Sequence, residues 1–127
     1  MRSIFLYIKK SKDEIDGFIR DNFVENGDRW SNKESTIWVS YWMGFKIELE
    51  EFELNKIIDK MGVGSYCALS IDISGTIPGN VEVMHCVKLF LGSTVGLAQD
   101  DYSDDFWEFD EIISGNTKNG RQFFNYP

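Results

Sequence analysis

Residues 36–42 constrain this chain more than any other stretch. Ile37, Val39 and Tyr41 alternate with Trp38, Ser40 and Trp42, so a strand here carries large apolar groups on both sides. A half-exposed strand shows polar residues on one side, whereas a strand apolar on both sides belongs at the centre of a layered sheet. The rest of the chain is therefore read for elements that cover such a strand.

Those elements recur in order. Residues 3–8 are β-branched, aromatic or aliphatic and end at Lys9 and Lys10, which predicts a first strand. Ser11-Lys12-Asp13-Glu14 is a capping-box pattern, followed by Ile15, Phe18, Ile19 and Phe23 at helical spacing. Residues 25–35 are polar around Asn26-Gly27-Asp28 and read as a loop interrupted by Trp30. After Gly44, residues 45–49 read as a short strand. Leu54, Ile57, Ile58 and Met61 then mark one face of a second helix stopped by Gly62. Residues 65–73 predict a third strand. A third helix follows, with Pro78 in its first turn or Asn80 as its cap, a buried stripe of Val83, Val87, Phe90 and Leu91, and an end at Gly92. Residues 95–99 read as a fourth strand whose end delivers Asp100 and Asp101 into a loop. Residues 108–113 suggest a short helix, 115–120 a turn, and 122–126 a terminal strand or tail. The order β, α, β, α, β, α, β predicts a single α/β domain over residues 1–127, with α+β as the variant: one central sheet and about three helices packed on it. Strand order is not readable at this level.

Length and charge narrow the function. A chain of 127 residues builds one core. Aromatic residues make up 15%, with four Trp, five Tyr and ten Phe. Such rings either fill the core or supply contact area at an interface. The net charge of −8, from 21 acidic and 13 basic residues, argues against nucleic acid and anionic membrane, because phosphate binding draws its affinity from Lys and Arg. An acidic surface instead steers a basic partner or keeps the chain soluble. The short apolar stretch at the start lacks a cleavage site, and no stretch approaches membrane-spanning length, so the cytoplasm is expected. Cys67 and Cys86 lie in apolar runs with no CxxC pairing, as reduced small hydrophobes do.

No P-loop, GxGxxG, GxSxG, HExxH or zinc-ligand pattern occurs, so no cofactor and no catalytic residue is assigned. His85 is the single histidine, and its neighbour Cys86 points about 100 degrees away on a helix, which disfavours a nucleophile–base pair. The densest feature is residues 100–111, where seven of twelve are acidic, four are aromatic and none is basic. A solvated loop relieves their repulsion through screening. As a docking face, Asp100, Asp101, Tyr102, Asp104, Asp105, Trp107, Glu108, Asp110 and Glu111 would meet Arg and Lys on a partner, with the rings as anchors. Glu48, Glu50, Glu51 and Glu53 form a second acidic group. Asp72, Asp100, Asp101, Asp104 and Asp105 are oxygen donors suited to magnesium or calcium, but Asp105 stands where an EF-hand loop requires glycine, and no metal site is assigned.

The stretch from Gly96 to Trp107, Gly-Leu-Ala-Gln-Asp-Asp-Tyr-Ser-Asp-Asp-Phe-Trp, followed by Asp110-Glu111-Ile112-Ile113, resembles the C-terminal part of small immunity proteins. These are the cognate inhibitors of bacterial contact-dependent growth inhibition and related polymorphic toxin systems. The resemblance implies a cytoplasmic protein that binds its own toxin domain, often a nuclease or a transfer-RNA-cleaving enzyme, and blocks the active site or an adjacent surface; with the acidic charge, the expected toxin is a basic nuclease and the chain itself is not an enzyme. The second reading is a small metal-dependent hydrolase using Asp72, Asp100 and Asp101. A third, an acidic mimic of DNA, requires carboxylates spaced like phosphates on one surface. Neither the toxin nor the oligomeric state can be read from the residues.

Overall fold

A computed structural model describes residues 2–62, 64 and 66–125. Its strands are β1 (Arg2–Ile8), β2 (Val24–Asn26), β3 (Arg29–Ser31), β4 (Ile37–Tyr41), β5 (Cys67–Ile73) and β6 (Gly96–Asp100). The helices are α1 (Lys12–Asn22), α2 (Phe45–Glu48), α3 (Glu51–Met61), α4 (Asn80–Leu91) and α5 (Phe109–Ile113). All six strands join one sheet in the order β2-β3-β4-β5-β1-β6, with every neighbouring pair antiparallel. The chain is an α/β domain, and its antiparallel pairing is the α+β form.

Alternation along the strands builds two layers on this sheet. Ile4, Leu6 and Ile8 of β1 face one way, into a core made with Ile15 and Ile19 of α1 and Val83, Cys86, Val87, Phe90 and Leu91 of α4. Tyr7 faces the other way, with Ala68 and Leu97, against Phe45 of α2 and Ile57 and Met61 of α3. The first face is covered from β4 to β6. The second is covered only where α2 and α3 lie.

Local chemistry explains most boundaries. Glu14 N–H donates to the Ser11 hydroxyl and Ser11 N–H donates to the Glu14 carboxylate, so the expected capping box opens α1. Gly62 ends α3, and Gly92 ends α4 as the pattern predicts. The start of α4 corrects the expectation. Its cap is Gly79, at φ +87, instead of Pro78 or Asn80; a Cβ there would lie 2.7 Å from Ile73 Cγ2, so both the backbone and the space call for glycine.

Three other expectations are corrected. Residues 25–35 are not simply a loop, because β2 and β3 form a hairpin about Gly27, at φ +68; each strand has only three residues, too few to show a period. Residues 45–49 are not a strand. Leu49 N–H closes on Phe45 C=O at 3.0 Å, Phe45 is buried, and Ile47 is 90% exposed, so the alternating apolar residues serve one helical turn. In α3 the buried positions are Glu53, Ile57 and Met61, while Ile58 lies outside, because the helix turns its capping glutamate inward. Of the expected third strand, Ser65 lies outside the described residues, as does Tyr126 of the expected terminal segment. Gln122, Phe123 and Phe124 form no strand; two of them, Phe123 and Phe124, are buried in the first-face core.

Candidate functional site

The acidic stretch is a strap along the outer edge of β6. Ala98 and Trp107 exchange both backbone hydrogen bonds, each 2.8 Å, so residues after β6 double back and pair with it. This covers an edge that would otherwise invite another strand. The rings of the strap divide between the faces: Phe106 joins the Tyr7 cluster on one side, and Trp107 is buried in the Ile4 cluster on the other. Two neighbouring aromatic residues therefore clamp the sheet edge from both sides.

The strap is fixed by a clasp centred on Asp100. Asp100 is the last residue of β6 and is 2% exposed, which corrects its expected place in a loop. Arg121 donates to both of its carboxylate oxygens, at 3.0 and 2.7 Å, and to the Ser103 hydroxyl at 3.0 Å. Phe124 N–H and Tyr102 N–H donate to the same carboxylate at 2.9 and 3.1 Å. A buried carboxylate needs this complement, since desolvating it is otherwise costly. Lys118 adds a second tie, donating to Phe106 C=O at 2.6 Å, pairing with Glu111 at 3.1 Å and lying 5.2 Å over the Trp107 ring.

The nine residues expected to bind a partner thus separate into groups. Asp100 and Trp107 are buried and belong to the fold, which removes them from any contact surface. Glu108 and Glu111 form the capping box of α5, with Glu108 also paired to Lys60 of α3. Asp105 accepts both of its contacts from the Asn119 amide, at 3.3 and 3.1 Å. Asp101, Tyr102, Asp104 and Asp110 are exposed, with Tyr102 at 54%. Among the described residues, Asp101, Asp104 and Asp110 make no ion pair.

Asp101 stands apart chemically. It accepts Ser3 N–H at 2.7 Å, yet its carboxyl is held above the ordinary aspartate range by partial burial and by the negative charges of Asp72 and Asp100. Asp72 is on the same side of the sheet, where it accepts the Ser3 hydroxyl at 2.6 Å and pairs with Arg29 at 3.2 Å. The Asp72, Asp100 and Asp101 set proposed for hydrolysis does not converge, because Asp100 turns to the first face with both oxygens held by Arg121. Among the described residues no three His, Cys, Asp or Glu side chains form a group that could hold a metal ion.

The pattern did not reveal a buried polar chain beneath α3. Tyr7 O–H donates to Gln99 at 2.9 Å, and the Gln99 amide donates to Glu53 at 2.8 Å. Burial, with the Glu53 charge, pushes the Tyr7 hydroxyl well above its usual range, so it stays protonated. Glu53 shares a helix with Lys60, and Lys60 meets Glu108, which places α3 of the second acidic group against the strap. Its Glu50 and Glu53 form the capping box of α3.

Elsewhere, His85 is exposed while Cys86 is buried, so they do not work as a pair; burial pushes the Cys86 thiol up to about 12, with Glu82 adding to it. Cys67 is half-buried and its thiol is raised by burial. A depression of about 610 Å³ beside α4 is lined by Asn32, Lys33, Glu34, Glu82 and His85 among others. No helix among the described residues is long and apolar enough to cross a membrane. Comparison with protein-family models, with curated proteins and with solved structures finds no match to this chain.

Proposed function

We propose that this chain is an immunity protein, a stoichiometric inhibitor that binds a cognate toxin domain in the cytoplasm, a basic nuclease, and covers its active site or an adjacent surface. The observation that carries the reading is the strap itself. Asp101, Tyr102, Asp104 and Asp110 are exposed on a segment that Asp100 and Arg121 hold in place from beneath. Charges fixed before encounter lose little conformational entropy on docking. Their sign steers a cationic partner, for which association rates reach about 10⁸ to 10⁹ M⁻¹s⁻¹ at low salt. A ring such as Tyr102 beside them supplies apolar contact area with few rotors to freeze.

The test uses the C-terminal domain of the protein encoded immediately upstream. Mixed with this chain, that domain should lose its nucleic-acid cleavage at close to one-to-one stoichiometry. The triple variant D101K/D104K/D110K should require a large excess for the same protection. Undiminished cleavage with the unmodified chain in excess would reject the reading.

A further inference from the structure

The two cations that hold the strap come from a single turn. Lys118 and Arg121 exchange backbone hydrogen bonds, at 2.9 and 3.2 Å, across Asn119 and Gly120. These central residues stand at φ +53 and +82, the left-handed pair of a type I′ turn, for which Asn-Gly is the favoured sequence. Lys118 reaches Phe106 and Glu111, and Arg121 reaches Asp100 and Ser103. The shape of this turn therefore sets the clasp.

Asn119 also faces a carboxylate. Its side-chain amide donates to Asp105, with Nδ2 3.1 Å from the nearer oxygen and 3.3 Å from the other. Gly120 is exposed and a Cβ there would meet nothing within 4 Å, so nothing crowds the approach of the glycine nitrogen or of water. Asparagine is thermolabile, and before glycine it rearranges most readily. The Gly120 nitrogen forms a bond to Asn119 Cγ and gives up its proton; the Cγ–Nδ2 bond breaks, and Nδ2 takes a proton and leaves as ammonia. Water then opens the cyclic imide at either carbonyl, giving aspartate or isoaspartate. Both proton transfers are of the kind that a carboxylate at hydrogen-bond distance from the leaving nitrogen promotes. The chain's other Asn-Gly pair, Asn26 and Gly27, lies at the β2–β3 hairpin, and among the described residues no carboxylate is bonded to the Asn26 amide.

We propose that Asn119 is a self-modification site, at which the Asp105 carboxylate speeds conversion of the amide to an acid and so loosens the strap with time. The product sets a carboxylate where the amide donated, against the like charge of Asp105. Isoaspartate also adds a methylene to the main chain of a two-residue turn, which breaks the register between Lys118 and Arg121. This conversion acts on the strap's own fastening and needs no partner.

The test is to age the whole chain at neutral pH and to map both Asn-Gly pairs by mass spectrometry, with fragmentation that separates aspartate from isoaspartate. In the folded protein Asn119 should convert roughly tenfold faster than Asn26. In urea, where the Asp105 contact is lost, the two rates should come together. Asp105→Asn keeps an acceptor for the amide and removes the base, so it should bring Asn119 down to the rate of Asn26. The aged protein should melt roughly 4 °C below the fresh one. Asn119→Gly suits the turn and has no amide to lose, so its midpoint should hold on ageing. Equal rates at the two sites in the folded chain, a faster Asn26, or undiminished conversion in Asp105→Asn would overturn the proposal. So would an equal fall of the midpoint in Asn119→Gly. The comparison of folded with urea-unfolded chain uses no variant, and it decides the matter if Asp105→Asn fails to fold.

Discussion

Asp100 and Asp101 are joined by one peptide bond, yet their carboxylates meet opposite surroundings. The first is covered and bound by Arg121, and the second is exposed, close to two like charges, and bonded to Ser3 N–H. Because the Asp101 carboxyl lies above its unfolded range, the native state holds its proton more tightly than the unfolded chain does. Stability from this site therefore falls as pH rises through that range, and at neutral pH the ionised group works against the fold. Asp101→Asn keeps an acceptor for Ser3 and removes the charge. It should stabilise the protein at neutral pH by no more than about 1 kcal/mol, since exposed charges are well screened. Thermal melting across pH checks this: the gain should vanish in acid, where Asp101 is already protonated, and a gain that persists there would show that charge is not its cause.

At the scale of elements, the strap from Asp100 to Glu111 combines two roles that its composition alone does not separate. It closes the β6 edge, and it presents charge. The clasp is what makes the first role possible, so Arg121→Ala, which leaves the Asp100 carboxylate buried without its cation, should cost about 3 kcal/mol in urea denaturation. Asp104→Ala, at an exposed position, should stay within about 0.5 kcal/mol. A loss below about 1 kcal/mol in the arginine variant would mean that the strap is held by its rings alone.

Legibility followed the same division. The Ser11 and Glu14 cap, the β1 strand and the Val83, Val87, Phe90 and Leu91 stripe are local patterns, each complete within one element, and the structure contains them. The burial of Asp100 depends on an arginine 21 residues further on, which no local period can announce. The β2 and β3 hairpin is too short to have a period. Composition places Glu53 in an acidic group and does not show which way it turns; its inward turn depends on Gln99 and Tyr7, which lie on two other strands. The exposed members of the site, Asp101, Tyr102, Asp104 and Asp110, were legible as composition. Which of the nine stay outside was decided by tertiary pairing.

For the whole molecule, alternation along six antiparallel strands produces one face covered from β4 to β6 and one that is covered only where α2 and α3 lie. The net charge of −8 lies over this asymmetric body, and the exposed strap borders its open face at Asp101. A protein built in this way should find a cationic partner quickly and lose that advantage in salt. The most direct measurement is the stopped-flow association rate with the toxin domain proposed as partner, taken as the Debye length is shortened from about 30 Å to about 3 Å. The unmodified chain should slow by about tenfold or more across that range, and D101K/D104K/D110K should begin near the slow limit. A rate that is indifferent to salt, and equal in the two proteins, would contradict the claim that these exposed carboxylates form the docking face.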